Sequence, residues 1–381
     1  MRITVDLRPL GSGSRTGIPG YTSDIIGALL AYKAGHQYTL FQNGFRTQSL
    51  LTQWRDSANV HIIEKRIPNR LLNLSMRLFN LPRLEKYAPA DVIFSPNFYL
   101  LPKTKTPRVI TFHDLSFLHY PEFFRRKDHV WHQMQQYAQQ AAQATHLIAV
   151  SEFTKNDLVT LLNIPEGKIT VIYPGISQHF IPYSAGDGRL AAYRIEKKLH
   201  RPFILYLGSL EPRKNLSLLI RAFDEFRADP RFKGYELVIA GRDGLGAGSL
   251  RRLASDLASR SAIRFLGPVT DEERVLLYNC ARVFVFPSWF EGFGFPPLEA
   301  QCCGVPVIAA DRTSLPEILG DSAVLINPWR PGELAQAIVS LETNSDLRSG
   351  IIAKGLKNSA RFTWEKAAEE TLAVLEKTQI A

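Results

Sequence analysis

The chain has 381 residues, 45% of them hydrophobic and 22% charged, with a formal net charge of +10. At roughly 150 residues per domain this is about two or three domains, and the ordinary apolar content excludes disorder, collagen-like repeats and low complexity. No apolar run approaches the roughly 18–20 residues of a membrane span. The positive charge leaves three partners open: nucleic acid, an anionic membrane, or a phosphorylated small molecule.

Short β-branched and aromatic runs alternate with longer segments of helical period, the pattern of parallel α/β sheets. The opening Met1–Asp6 has no signal-peptide core and reads as a strand, Arg2–Asp6. Further strands are expected at Tyr38–Gln42, Val60–Glu64, Val92–Ser95, Arg108–His113, His146–Val150 and Thr170–Tyr173. Helices are expected between them at Gly17–Tyr32, Asn69–Asn80, Phe123–Ala144 and Glu152–Leu162. A second series of strands follows at Phe203–Leu207, Glu236–Ala240, Ile263–Leu266, Val283–Phe286, Val307–Ala309 and Val324–Ile326. Thr270–Glu273 and Ser314–Glu317 both have the Ser/Thr-x-x-Glu spacing of a capping box, and Phe362–Glu376 reads as a strong terminal helix.

Pro174–Pro202 is rich in Pro, Gly, Ser and charge, which places a domain boundary near residue 185. Each half is then a doubly wound sheet. Ligands of such sheets bind at the carboxyl ends of the strands, so two facing sheets offer one interdomain cleft. The three cysteines, Cys280, Cys302 and Cys303, make no disulfide framework, and a cytoplasmic protein is the expectation.

The loops after the strands carry the chemistry. Gly11, Gly13, Gly17 and Gly20 lead from the first strand into a helix, where backbone N–H groups can approach an anion. Their spacing is neither a dinucleotide fingerprint nor a P-loop, and a plain strand-to-helix loop explains them as well. His113 and Asp114 close an apolar strand, and a structural histidine is the alternative there. No Asp-x-Asp and no convincing metal-ligand cluster occurs. At Gly208–Asn215 a strand ends in glycine, and Arg213 and Lys214 stand where Asn215 would cap the next helix, a setting suited to a diphosphate. In Val283–Ala300 a buried strand runs into an acidic, glycine-rich loop and then a helix beginning near Pro296 or Pro297. Glu291 and Glu299 bracket this loop, two acceptors across a donor-rich turn, as a phosphorylated, polyhydroxylated ligand requires. Arg66–Arg83 mixes leucines and Phe79 with arginines and no acid. It suits either an anionic bilayer or a helix packed on the first sheet with its arginines snorkelling.

Glu291-Gly-Phe-Gly-Phe-Pro-Pro-Leu-Glu299 resembles the E-x7-E motif of retaining GT-B glycosyltransferases of family 4. The resemblance extends to His113-Asp114, Val150–Lys155, Tyr173–Ile176, Gly208–Asn215 and Ile239–Gly241. It implies a GT-B architecture: a first Rossmann-like domain over 1–185 on the acceptor side, a nucleotide-sugar domain over 186–362, and a terminal helix, 363–381, returning to the first. It implies that His113, Arg213, Lys214 and Glu291 are catalytic, His113 beside the transferred sugar and Glu291 on its hydroxyls. Gly208, Ser209, Gly292, Phe293, Gly294 and Phe295 would surround the sugar diphosphate, Glu299 the ribose, and Gly241, Arg242, Pro268 and Val269 the base. Gly11, Gly13, Gly17, Gly20 and Asp114 would line the acceptor side. One departure is Ser209, where many members carry Arg.

The variant motifs resemble members that move mannose from GDP-mannose in bacterial surface polysaccharide synthesis. The implied reaction is a retaining, metal-independent transfer to a glycan or lipid-linked acceptor in O-antigen or exopolysaccharide synthesis, with peripheral membrane association open. A UDP-sugar donor, an epimerase or phosphorylase of the same fold, and a basic nucleic-acid binder are the alternatives. The last has no basic helix with base-reading partners, and no nucleic-acid partner is expected.

Overall fold

The computed structural model describes residues 1–12, 17–32, 35–44, 53–55, 57–87, 89–184 and 186–380. The chain divides into two compact units. One comprises Met1–His119, Arg125–Gly175 and the segment from Thr363 onward; the other comprises Tyr120–Phe124 and Ile176–Phe362.

The first unit holds a sheet of β1 (Arg2–Asp6), β2 (Gln37–Asn43), β3 (Val60–Lys65), β4 (Val92–Ser95), β5 (Arg108–Phe112), β6 (His146–Ala149) and β7 (Ile169–Val171). Among the described residues the order is β3-β2-β1-β4-β5-β6-β7, and every pair is parallel. The second unit holds β8 (Phe203–Leu207), β9 (Glu236–Ala240), β10 (Ile263–Gly267), β11 (Val283–Phe286), β12 (Val307–Ala310) and β13 (Val324–Ile326). Their order is β10-β9-β8-β11-β12-β13, again all parallel. The two strands at the centre of the second sheet, β8 and β11, are apolar throughout, as parallel strands covered on both faces are. Every residue of β5, β8 and β11 is buried.

In each sheet the winding reverses once, between β1 and β4 in the first unit and between β8 and β11 in the second. At such a reversal the two following loops diverge to opposite faces and leave a crevice at the carboxyl edge. Each expected strand is present within one or two residues of its expected ends.

Helices depart from expectation in one place. The single helix expected over Phe123–Ala144 is two, Arg126–Gln135 and Tyr137–Gln143, with Gln136 left-handed at φ 51° between them. Glutamine side chains make this break worthwhile. Gln135 accepts from the Leu100 N–H at 2.8 Å and Gln140 from the Leu101 N–H at 3.3 Å, so the loop after β4 is satisfied by side chains of both helices.

The terminal helix, Trp364–Ile380, belongs to the first unit and packs on the helix Ile18–Ala31. Tyr21 meets Trp364 with ring centroids 5.7 Å apart. At Gly175 the backbone of Trp364 comes so close that a Cβ would lie 2.2 Å from the Trp364 nitrogen, so only glycine fits. The Thr270 capping box forms as expected, with Thr270 Oγ1 accepting from Glu273 N at 3.2 Å and Glu273 Oε2 from Thr270 N at 2.8 Å.

Candidate active site

The β8/β11 reversal is where the second unit gathers its charge. Beyond β8, Gly208 N donates to Ala240 O at 3.0 Å, Leu210 N to Arg242 O at 2.9 Å, and Gly241 N to Gly267 O at 2.7 Å. These bonds zip the ends of β8, β9 and β10 together. Gly241 sits at φ 146°, and a Cβ there would lie 1.8 Å from Gly208 O. A short 3-10 turn, Pro212–Lys214, then presents the two cations. Asn215 does not cap the next helix. It takes a left-handed φ of 54°, and its Nδ2 donates to Pro328 O at 2.9 Å.

Both cations converge on one carboxylate from the β11 loop. Lys214 Nζ lies 2.6 Å from Glu291 Oε1 and Arg213 Nη1 3.1 Å from Glu291 Oε2. Arg213 also donates to Phe290 O at 2.7 Å, and Trp289 N donates to Arg213 O at 2.8 Å, so the two loops are tied by backbone as well as by charge. Lys214 is 8% exposed and Glu291 7%. Burial alone raises a carboxyl pKa, yet the two cations hold Glu291 below its ordinary range. Burial and the neighbouring Arg213 push the Lys214 ammonium down, against the pull of Glu291.

The Glu291 loop is held by Thr313 and Ser314, in the turn between β12 and the helix Leu315–Leu319. Glu291 N donates to Thr313 Oγ1 at 3.1 Å, and Ser314 Oγ donates to Glu291 O at 2.9 Å and Phe293 O at 3.2 Å. Ser314 does not form the expected capping box: its backbone is helical where an N-cap is extended, and its buried side chain points to the neighbouring loop. Gly294, at φ 100°, precedes the helix Phe295–Cys302, and its position is one that side chains rarely tolerate.

Glu299, on the second turn of that helix, is buried against two partners that sequence reasoning missed. Arg274 Nη2 donates to Glu299 Oε1, and Tyr278 OH donates to Oε2 at 2.8 Å. Burial opposes the charge of Arg274, but Glu299 and Tyr278 hold its guanidinium above the ordinary range; burial, then the Glu299 charge, pushes the Tyr278 phenol well up. Arg274 and Tyr278 lie four residues apart on the helix Asp271–Cys280, so they share a face. That spacing beside a capping box was the available signal.

In the first unit, His113 follows β5. Its Nε2 lies 2.8 Å from Pro96 O, and since a carbonyl only accepts, Nε2 carries the proton and the neutral ring keeps its lone pair on Nδ1. Tyr21 packs edge-on to the imidazole at 4.6 Å. Burial pushes the His113 pKa down, against the Pro96 carbonyl and Asp114. Asp114 Oδ1 accepts from Ser116 N at 3.0 Å and Ser116 Oγ at 2.6 Å, which closes an Asx turn.

The glycines expected in one loop are divided. Gly11 lies in a 3-10 turn, Arg8–Ser12, Gly17 is the N-terminal boundary of the helix Ile18–Ala31 at φ 65°, and Gly20 is buried inside that helix. Gly13 lies outside the described residues. Ser209, Gly241 and Val269 are half-buried at the β8–β10 edge, with Arg242 and Pro268 exposed beside them. Gly292 and Phe293 are buried and Phe295 half-buried. Among the described residues no group of three or more His, Cys, Asp or Glu side chains is placed to hold a metal, and no helix is long and apolar enough to cross a membrane.

Two family descriptions match the chain: "Glycosyltransferase Family 4" over residues 17–180 and "Glycosyl transferases group 1" over 192–358. The O-antigen chain mannosyltransferase B of Escherichia coli is 32% identical over 295 residues, 76% of this chain and 76% of that protein. The serotype-specific mannosyltransferase WbdA of E. coli is 32% identical over 59% of this chain, which is 28% of that longer protein. Among solved structures, Anabaena Alr3699/HepE, crystallised with UDP and glucose, superposes with a TM-score of 0.72 over 98% of this chain and 99% of that one, at 19% identity. Two doubly wound sheets, the Glu291–Glu299 loop and this similarity lead to one conclusion: the chain belongs to family 4 of the GT-B glycosyltransferases.

Proposed function

We propose that this glycosyltransferase moves mannose from GDP-mannose, with retention of anomeric configuration and without a metal, onto a glycan or lipid-linked acceptor in O-antigen or exopolysaccharide synthesis. The observation that carries the reading is the pairing of Lys214 and Arg213 on Glu291 at the β8/β11 reversal. Transfer requires the nucleoside diphosphate to leave as the anomeric carbon becomes cationic. Two cations fixed in advance beside helix and loop N–H groups stabilise that charge without reorganisation. The choice of mannose is supported by the E. coli O-antigen relatives, which are named mannosyltransferases.

Retention by two steps needs a carboxylate free to attack the anomeric carbon. Glu291 is neutralised by two cations and Glu299 is engaged by Arg274 and Tyr278, which leaves both poor nucleophiles and suited to binding. We therefore favour attack from the face the phosphate leaves, with the departing phosphate taking the acceptor proton. The role of His113 at the transferred sugar and that of Glu299 at the ribose belong to the same proposal. A cytoplasmic setting belongs to the same proposal, and the three free cysteines support a reducing compartment.

The test is incubation of the pure protein with GDP-mannose, UDP-glucose or UDP-N-acetylglucosamine and a mannan acceptor, with and without EDTA. Mass spectrometry follows the products and NMR their anomeric configuration. An α-mannosylated acceptor formed equally in EDTA is expected. A UDP-sugar product, an inverted linkage, or free sugar isomer or sugar phosphate would each overturn the corresponding part.

A further inference from the structure

We propose that the helix Asn69–Phe79 and its flanks dock the enzyme on an anionic lipid surface. Of the thirteen large hydrophobic side chains exposed among the described residues, five fall within eleven residues of sequence: Leu71, Leu74, Leu78, Phe79 and Leu81, at 59, 50, 63, 69 and 40% exposure. They do not belong to the core. Leu72 and Met76 of the same helix are buried in the cluster with Phe41, Ile93 and Leu100. At about 100° per residue, Leu71, Leu74 and Leu78 span roughly 60° of the helix and lie about 150° from the Leu72/Met76 face. The helix thus has an inner apolar face that anchors it to the first unit and an outer one that stays exposed among the described residues.

Charge names the occupant. From Lys65 to Leu84 the chain has no acidic residue, and it carries Arg66, Arg70, Arg77 and Arg83, all exposed. None of these four forms an ion pair among the described residues, whereas the nearby Arg55 is paired with Glu64 at 2.9 Å. Arg70 and Arg77 lie on the flank next to the leucine stripe by the same helical arithmetic. A leucine ridge edged by unpaired guanidinium groups, with Phe79 exposed at the end of the helix, matches the boundary of a bilayer with anionic headgroups. The ridge enters the acyl region while the arginines reach the phosphates. A protein partner or a second copy of this chain would have to supply matching acids. Such a surface brings the enzyme to a lipid-linked acceptor, but docking itself does not depend on the identity of donor or acceptor.

Flotation of the full chain with phosphatidylglycerol/phosphatidylethanolamine vesicles, against pure phosphatidylcholine vesicles, tests this. Binding to the anionic vesicles, weakened at about 0.5 M NaCl, is expected. Leu74→Gln/Leu78→Gln should reduce it by about tenfold or more, and Arg70→Gln/Arg77→Gln by about fivefold per arginine. Leu161→Gln/Ile195→Gln, exposed apolar residues elsewhere, should bind as the unaltered chain does. Near-UV circular dichroism and transfer to a water-soluble acceptor check that the variants are folded. The proposal is overturned if the unaltered chain does not float with anionic vesicles, or if the leucine pair leaves flotation unchanged. It is overturned equally if sedimentation shows a dimer that the leucine pair dissociates while no vesicle binding exists.

Discussion

Lys214→Met removes one of the two cations on Glu291 while keeping the stem of the side chain, and its consequences separate a binding role from a structural one. At an effective dielectric of about 20, a pair 2.6 Å apart attracts by about 6 kcal/mol before desolvation, and Arg213 at 3.1 Å still supplies about 5 kcal/mol. Glu291 therefore stays ionised in the variant. Breaking a buried pair outright costs about 3–5 kcal/mol. With Arg213 left in place the loss expected here is about 1–3 kcal/mol, or a fall of roughly 2–10 °C in the melting temperature of a unit of this size. If the ammonium also stabilises the departing diphosphate, turnover falls by about 10²–10³-fold in addition, the cost of one preorganised donor. The assay is single-turnover transfer at saturating donor, with calorimetry on the same preparations. A variant that melts lower but turns over within about threefold of the parent would refute the electrostatic role and leave Lys214 as a strut for the Glu291 loop.

Arg274→Met should cost about 3–5 kcal/mol in urea unfolding, because it leaves Glu299 buried with Tyr278 alone; adding Glu299→Leu should recover at least half. Additive losses would show that the pair is not coupled. Gly241→Ala places a methyl carbon 1.8 Å from Gly208 O, and separating the β8 and β9 loops should cost about 2–4 kcal/mol and weaken nucleotide binding; an unchanged urea midpoint would contradict the close approach. His113 has a folded pKa below its unfolded one, so the unfolded chain binds the extra proton. Stability should therefore fall as pH drops below about 6.5, and it is fully retained above it. His113→Gln should flatten that slope in melting curves recorded against pH, and an unaltered slope would exclude His113 as a source.

The sheets were legible because a parallel strand covered on both faces must be apolar along its whole length, as Phe203–Leu207 and Val283–Phe286 are. The Glu291–Glu299 loop was legible for a related reason, since charge and glycine beside such a strand have no packing explanation. What the sequence hides is the choice of partner. Ser314–Glu317 and Thr270–Glu273 have the same spacing, yet only Thr270 caps: its backbone is extended, as an N-cap requires, whereas Ser314 is helical and its hydroxyl points to the carbonyls of the Glu291 loop. Nothing local marks Gln136 as left-handed; the turn is fixed by Gln135 and Gln140 reaching the backbone at Leu100 and Leu101, some 35 and 39 residues away in sequence. The clamp on Glu299 joins residues 25 and 21 apart, and a helical arginine four residues before a tyrosine is common enough to pass as surface.

The central claim is that the β8/β11 junction holds a nucleoside diphosphate sugar through Arg213 and Lys214. Its most direct measurement is the melting temperature of the parent chain and of Lys214→Met with GDP-mannose and GDP across a concentration series. Stabilisation of the parent that grows as RT ln(1 + [L]/Kd), and is largely lost in Lys214→Met, is the expected result. No shift with either nucleotide, or equal shifts in both proteins, would contradict it.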